Sequence, residues 1–279
     1  MRLLRFGTPG AEAPGILDMS NRIRDLSSVI PDLNGEALSE ASLSRIRAID
    51  PETLPLASPD VRIGPCVAGI SKIIGVGMNY SDHAEEINAP LPKHPILFSK
   101  PPSSICGPYD DILRPKGSEK LDWEVELAVV IGRTAANVTR EASMDHVAGF
   151  CLFNDITERG WIEASGQMIN GKSADTFSPL GPWLVTPDEI PDVKNLELFL
   201  EVNGERRQRG NTRTMIFDIP TLISHISGLM TLQPGDVITT GTPPGVGMRM
   251  NPPCYLQPGD KMRLGIAGLG EQSQAVCQR

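Results

Sequence analysis

The strongest constraint on the fold is a run of large apolar residues interrupted by two evenly spaced glutamates, in residues 122–131. Its β-branched residues and period of two predict a strand that ends before Gly132. On a strand, Glu124 and Glu126 point to one face, with Cα atoms roughly 7 Å apart. Two neighbouring carboxylates repel each other, and burial favours neither. A hard cation such as Mg²⁺ or Mn²⁺ would resolve this conflict, whereas an exposed edge strand would leave both glutamates in water.

A third carboxylate follows a second apolar run. Asp155 comes two residues after the apolar residues 150–153. An aspartate at the end of a buried strand is well placed to face a cleft. The alternative is a helix N-cap, because aspartate before a polar turn often has that function.

Composition and charge limit the class of protein. Hydrophobic residues make up 40% and charged residues 22% of the 279 residues, which is typical of a globular protein with a substantial core. The chain has 27 glycines and 25 prolines, an excess that favours many turns and short strands. The prediction is therefore an α+β, mainly β fold. The net charge of −8 argues against nucleic acid or an anionic membrane as the partner.

The cysteines and the apolar segments indicate a compartment. The five cysteines are scattered and form no Cys-x-x-Cys motif, so neither a zinc site nor a disulfide framework is expected. The N-terminus has no signal-peptide pattern, and no stretch approaches eighteen apolar residues. We therefore expect a cytoplasmic protein without a membrane span.

The order of patterns along the chain predicts two domains. Residues 3–6 and 15–18 are predicted to be paired short strands within a small N-terminal domain of residues 1–68. Residues 69–279 would form the catalytic domain. Within it, residues 138–147 and 220–230 are predicted helices, and residues 196–203 are a predicted strand followed by an Asn-Gly hairpin turn.

A histidine and a glutamate are spaced for acid–base chemistry. His83 and Glu86 would lie at i and i+3 on one face of a short helix. A histidine held by a carboxylate is a usual general base, although a solvated helical pair would give the same spacing. The three prolines in residues 88–95 favour a mobile lid after this helix.

Two basic residues follow Asp155. Arg159, four residues later, could clamp a substrate carboxylate or lie on the surface. Lys172 lies in a turn-rich segment, where a lysine is more often functional than on a helix face. Neither this segment nor Gly75 and Gly77 matches a nucleotide-binding glycine loop.

Together these segments resemble the fumarylacetoacetate hydrolase family. The resemblance covers residues 73–270 and rests on five motifs in order: Asn79-Tyr80-x-x-His83-x-x-Glu86, residues 122–126, Asn154-Asp155, residues 171–177, and Thr240-Gly241-Thr242-Pro243. It implies a β-rich roll with a wrapped mixed sheet and a homodimer. The N-terminal domain resembles that of the longer bacterial branch, which includes 2,4-diketo-3-deoxy sugar acid hydrolases and proteins called ureidoglycolate lyases.

The resemblance also implies roles for individual residues. Mg²⁺ or Mn²⁺ would be bound by Glu124, Glu126 and Asp155. The catalytic residues would be His83 and Glu86 on a lid, with Lys172, and the residues expected to bind substrate are Arg159, Thr242, Tyr80 and Asp175. Relatives in this branch carry a glutamine where this chain has Ile162, so the distal end of the substrate is left open; Gln167 is a candidate replacement.

The expected activity is hydrolysis of a C–C bond in an acylpyruvate, a small keto-acid, with release of pyruvate. Oxaloacetate decarboxylation and ureidoglycolate lyase activity are alternatives at the same site. A keto-acid-binding relative without catalytic activity is an alternative of another class.

Overall fold

The computed structural model describes residues 1–279 and contains eighteen β-strands. In chain order they are β1 (Arg2–Phe6), β2 (Ala13–Leu17), β3 (Ile23–Asp25), β4 (Ile73–Gly77), β5 (Ile96–Lys100), β6 (Ile105–Cys106), β7 (Ile112–Arg114), β8 (Leu121–Asp122), β9 (Val125–Ile131), β10 (Val147–Asn154), β11 (Thr157–Glu158), β12 (Ser178–Pro179), β13 (Leu184–Val185), β14 (Glu197–Val202), β15 (Glu205–Asn211), β16 (Val237–Thr239), β17 (Lys261–Ile266) and β18 (Gly270–Gln278). The mainly β prediction is confirmed.

Five short α-helices connect or cover the sheets. They are α1 (Glu40–Arg47), α2 (Ser81–Glu86), α3 (Arg159–Ser165), α4 (Met168–Lys172) and α5 (Ile219–Leu229). Helix α5 matches the helix predicted for residues 220–230, and Asp218 caps it through the Thr221 amide. No helix has both the length and the apolar character that crossing a bilayer requires.

The largest sheet has nine strands in the order β3-β2-β1-β13-β10-β9-β16-β4-β5. Strand β9 lies in its middle, antiparallel to both β10 and β16. All seven residues of β9 are buried, which explains why the strand is a nearly continuous apolar run. The two glutamates of the run therefore lie at the end of a central strand and not on an exposed edge.

The two faces of β9 pack into different parts of the core. Val125, Leu127 and Val129 pack against the five-stranded sheet β15-β14-β17-β18-β7, through a cluster that includes Leu198 and Leu264. Ala128 and Val130 face a second cluster, which contains apolar residues of the N-terminal segment and of α1. This alternation confirms that Val125 and Leu127 point away from the face of Glu126, which continues along the strand as Ala128 and Val130.

The N-terminal segment extends the large sheet. Strand β1 pairs with β2, as predicted, and on its other edge with β13, where Leu3 lies opposite Leu184. Leu26, Ile46 and Cys66 share one apolar cluster with residues of β9 and β10. The division into domains at residue 68 stays a prediction.

The prediction of a helix for residues 138–147 is wrong. The segment forms turns and a single 3₁₀ turn at Ser143–His146, and the last predicted residue, Val147, begins β10. The Thr139 hydroxyl accepts the Ala142 amide, and the Ser143 hydroxyl donates to the Arg140 carbonyl. Such side chain–backbone bonds compete with helical hydrogen bonding.

Candidate active site

Three buried carboxylates converge where β9 and β10 meet. One oxygen from each of Glu124, Glu126 and Asp155 lies within 4.8 Å of the others. Phe153 pairs with Glu126 across the two strands, and the Asp155 amide donates to the Glu124 carbonyl at 2.9 Å. Strand β9 begins one residue after Glu124, later than predicted. The antiparallel register therefore brings the aspartate after one strand beside the glutamates at the start of the other.

Two lysines and an arginine neutralise part of this negative charge. Lys172 Nζ donates to Glu124 Oε2 at 2.8 Å and to Asp155 Oδ2 at 2.5 Å. Arg159 Nη2 donates to Glu124 Oε1 at 2.6 Å. Lys100 Nζ donates to the other oxygen of Asp155, at 2.5 Å. Burial of these cations beside carboxylates provides charge-assisted hydrogen bonds in a region of low dielectric constant.

The cations act unequally on the two glutamates. Burial favours a raised pKa for Glu124, but the charges of Lys172 and Arg159 outweigh it and hold that pKa well below its usual range. Burial and then the charges of Asp155 and Glu124 raise the pKa of Glu126 well above its usual range. The only hydrogen bond to the Glu126 side chain comes from the Gly241 amide, at 2.9 Å. Glu126 is thus the carboxylate with no basic side chain bonded to it.

The pKa values of the two lysines also shift in opposite directions. Burial lowers the pKa of Lys172, but Asp155 and Glu124 more than compensate and raise it above the usual value. For Lys100, burial dominates over the attraction of Asp155, so its pKa is lowered.

The donor set fits a divalent cation. Asp122, which accepts from Arg159 Nε at 2.9 Å, brings the number of clustered carboxylates to four, against three basic side chains. The carboxyl group without a cationic partner is that of Glu126, a residue that is 1% exposed. Closely spaced carboxylate oxygens are the ligands that Mg²⁺ and Mn²⁺ prefer. Glu124, Glu126 and Asp155 could therefore hold such an ion.

The predicted acid–base pair forms on α2. His83 Nδ1 lies 2.8 Å from Glu86 Oε2, and the His83 side chain is only 14% exposed. The other oxygen of Glu86 accepts the Gly245 amide at 3.0 Å. The two side chains are thus paired with each other and anchored to the loop of residues 241–247, which also contacts Glu126 through Gly241.

The predicted substrate-binding residues have different environments. Arg159 lies at the carboxylates. Tyr80 is fully buried, and its hydroxyl has no hydrogen-bond partner. Burial and then the charge of Glu126 raise the pKa of Tyr80. The Thr242 hydroxyl already donates to the Val125 carbonyl at 2.9 Å. Asp175 is not among the contacts of the carboxylate cluster, because its half-exposed side chain pairs with Arg279 at 2.8 Å.

Three buried polar residues at the site were missed from the sequence. Lys100 ends β5, and nothing in its local pattern shows that its side chain reaches Asp155 from a distant strand. Asp122 accepts the Gly247 amide and orients Arg159. Gln208 on β15 accepts the Val125 amide and donates to the Thr242 hydroxyl, so it joins the second sheet to the site. The place of Asp122 two residues before Glu124 is a sequence signal that could have identified it.

The site combines three features: buried carboxylates suited to a divalent metal, basic residues bonded to those carboxylates, and a His–Glu pair. These features are those of an enzyme with an acidic centre that could bind a metal. Comparison with known proteins identifies the family. The model of the fumarylacetoacetate (FAA) hydrolase C-terminal domain matches residues 72–277, and the chain belongs to the fumarylacetoacetate hydrolase family.

Relatives and solved structures agree with this assignment. A Burkholderia multivorans protein named "Putative hydrolase" is 59% identical over 276 residues, 98% of each chain. Fumarylacetoacetate hydrolase from Exiguobacterium antarcticum is 35% identical, with a TM-score of 0.88 over all of both chains. Maleylpyruvate hydrolase from Sphingobium sp. SYK-6, solved with manganese(II) and pyruvate, is 33% identical, with a TM-score of 0.83 over 100% of this chain and 99% of that one.

Proposed function

We propose that this protein is a divalent-metal-dependent hydrolase that cleaves a C–C bond in an acylpyruvate and releases pyruvate. The observation that carries the proposal is the buried cluster of Glu124, Glu126 and Asp155, with Lys172 and Arg159 on the same carboxylates. The manganese and pyruvate in the structure of the related maleylpyruvate hydrolase support it. The ion would be Mg²⁺ or Mn²⁺.

The charges of the site suit an anionic keto-acid. Four carboxylates and three basic side chains leave one excess negative charge, which a divalent ion would convert into one positive charge. When bound, the ion would supply a Lewis acid for the carboxylate and 2-keto oxygens of the substrate. Lys172 and Arg159 add positive charge where enolate charge develops, so their stabilisation is greatest at the barrier.

The His83–Glu86 pair would activate the attacking water. Glu86 Oε2 holds His83 Nδ1, which leaves Nε2 free to accept a proton. Water adds to the 4-keto carbon, the C3–C4 bond breaks, and the pair of electrons passes into pyruvate enolate. Protonation at C3 then gives pyruvate, and the acyl half leaves as a carboxylic acid. A role for the fully buried Tyr80 in binding substrate stays a prediction.

The decisive experiment measures pyruvate release from panels of acylpyruvates and oxaloacetate, with Mg²⁺ or Mn²⁺ and with EDTA, in ¹⁸O-labelled water. Hydrolysis should depend on the metal and place one ¹⁸O atom in the acid released from the acyl half. Oxaloacetate decarboxylation without acylpyruvate cleavage would contradict the proposal and favour the alternative, in which the attacking water has no role. No turnover with any member of the panel would leave keto-acid binding as the function.

The variant His83→Ala separates the two chemistries. It removes the proton acceptor but no metal ligand, so hydrolysis should fall by about 10²–10⁴-fold, the usual contribution of general acid–base catalysis. Metal affinity, measured by calorimetry, should not change.

The homodimer implied by the family stays a prediction, and analytical ultracentrifugation would test it.

A further inference from the structure

The loop of residues 241–247 donates three glycine amides to three carboxylates around the site. Gly241 N–H donates to Glu126 Oε2 at 2.9 Å, Gly245 N–H to Glu86 Oε1 at 3.0 Å, and Gly247 N–H to Asp122 Oδ1 at 2.7 Å. Each carboxylate belongs to a different part of the site: the metal-compatible cluster, the acid–base pair and the anchor of Arg159. The loop therefore aligns these parts through backbone groups, whose positions do not depend on rotamers.

At Gly245 the backbone leaves no room for a side chain. Its φ is +100°, a region that L side chains rarely adopt, and a Cβ would lie 1.9 Å from the Arg207 carbonyl oxygen. The Gly245 carbonyl accepts the Trp123 indole N–H at 3.1 Å. Gly245 is thus pressed against β15 and bonded to the residue before Glu124, which fixes the direction of its amide.

We propose that Gly245 is a positioning residue of the reaction: its amide holds the Glu86 carboxylate and, through Glu86, orients the His83 imidazole. The catalytic part of this inference rests on the proposed hydrolysis. Glu86 uses one oxygen for each bond, Oε1 for Gly245 and Oε2 for His83. The bond between the Gly245 amide and Glu86 also attaches α2 to the loop of residues 241–247, which contacts Glu126 through Gly241. We call this attachment the latch.

The test compares Gly245→Ala with the matched control Gly259→Ala. Gly259 has a φ of +96°, but a Cβ there would meet no atom within 4 Å. Both variants carry the backbone cost of alanine at positive φ, and only Gly245→Ala should displace the amide. We expect kcat for acylpyruvate cleavage to fall by about 10²-fold in Gly245→Ala, the effect of a misplacement near 1 Å. The Kd for Mn²⁺ should stay within about threefold of wild type, and Gly259→Ala should retain wild-type kcat.

A double-mutant cycle with Glu86→Gln decides whether Gly245 acts through Glu86. If it does, Gly245→Ala should cost little more once Glu86 has been replaced. The same loss of kcat in both backgrounds, or near-full activity of Gly245→Ala, would overturn the inference.

Amide hydrogen exchange provides a measurement that needs neither activity nor a folded Gly245 variant. In Glu86→Ala the Gly245 amide loses its acceptor, so its exchange, followed by NMR, should accelerate at least tenfold relative to wild type, while the Gly259 amide should not change. Unchanged exchange at Gly245 would refute the latch. This readout still decides the matter if the wild-type protein cleaves no acylpyruvate, an outcome that would count against the proposed function alone.

Discussion

Replacing Glu126 by glutamine should stabilise the metal-free protein and should reduce the further stabilisation that a divalent cation provides. In the metal-free protein, burial and then the charges of Asp155 and Glu124 raise the folded-state pKa of Glu126 above its value in the unfolded chain, about 4.3. A carboxyl with a raised pKa favours folding below the unfolded pKa, and this contribution is lost as the pH rises towards the folded-state value. Metal-free Glu126→Gln should therefore have a higher Tm than metal-free wild type at pH 8, and the difference should shrink towards pH 4.

With metal, wild type should be stabilised more than the variant. A cation at a hundred times its Kd stabilises the folded state by about 2.7 kcal/mol. Unfolding entropies near 2.1 cal/mol/K per residue give roughly 0.6 kcal/mol/K for 279 residues, so wild type should gain about 5 °C in Tm. Removing a ligand should weaken binding by about 100-fold, the upper end of what mutating an outer-sphere partner costs. At the same metal concentration the variant should then gain only about 0.4 kcal/mol, less than about 1 °C.

Differential scanning fluorimetry at pH 4, 6 and 8, with Mg²⁺, Mn²⁺ or EDTA, measures both effects. Glu163→Gln is the matched control, because it removes the same charge from a carboxylate that is 51% exposed and paired with Lys120. An exposed pair of this kind contributes about 0–1 kcal/mol and should not respond to metal. If metal raised the Tm of Glu126→Gln as much as that of wild type, Glu126 would not be a ligand. If the metal-free variant were less stable than wild type at pH 8, the argument from carboxylate repulsion would fail.

Two further substitutions test the basic residues. Lys100→Met leaves one oxygen of the buried Asp155 without its cation, so we expect unfolding to become about 3–5 kcal/mol easier in metal-free protein, measured by urea denaturation; a loss below about 1 kcal/mol would show that Lys172 alone neutralises Asp155. In Arg159→Lys, the single ammonium group cannot bond both Asp122 and Glu124 as the guanidinium does. Calorimetry should therefore show Mn²⁺ binding weakened by about 10–100-fold, with an unchanged fold. Unchanged affinity would mean that the two guanidinium contacts do not help to position Glu124 as a metal ligand.

The central part of the site could be predicted because its signal is local. Alternation in one strand places Glu124 and Glu126 on one face, and an aspartate after the next apolar strand lies beside them when the strands are antiparallel neighbours. The i, i+3 spacing of His83 and Glu86 is equally local. These inferences need only the period of a regular element and the order of elements in the chain.

The parts that could not be predicted depend on long-range packing. Lys100 lies 55 residues from Asp155, and only the sheet order and the neighbouring packing bring it there. Gln208 reaches the site from the second sheet. The segment around Arg140 and Ser143 is not the predicted helix, because hydroxyl groups of Thr139 and Ser143 form local hydrogen bonds that compete with helical ones. A motif alone predicts that Asp175 binds substrate; its side chain pairs with Arg279 near the end of the chain, and this role stays a prediction.

The pairing of β1 with β13 has a practical consequence for making smaller versions of this protein. Deleting residues 1–68 would uncover the edge of β13 and the apolar side chains of β9 and β10 that now lie under α1. A bare strand edge beside an uncovered apolar face is a template for intermolecular pairing. A truncated enzyme would thus keep every residue proposed for the chemistry and still tend to precipitate, unless charged residues or a replacement strand protected the new boundary.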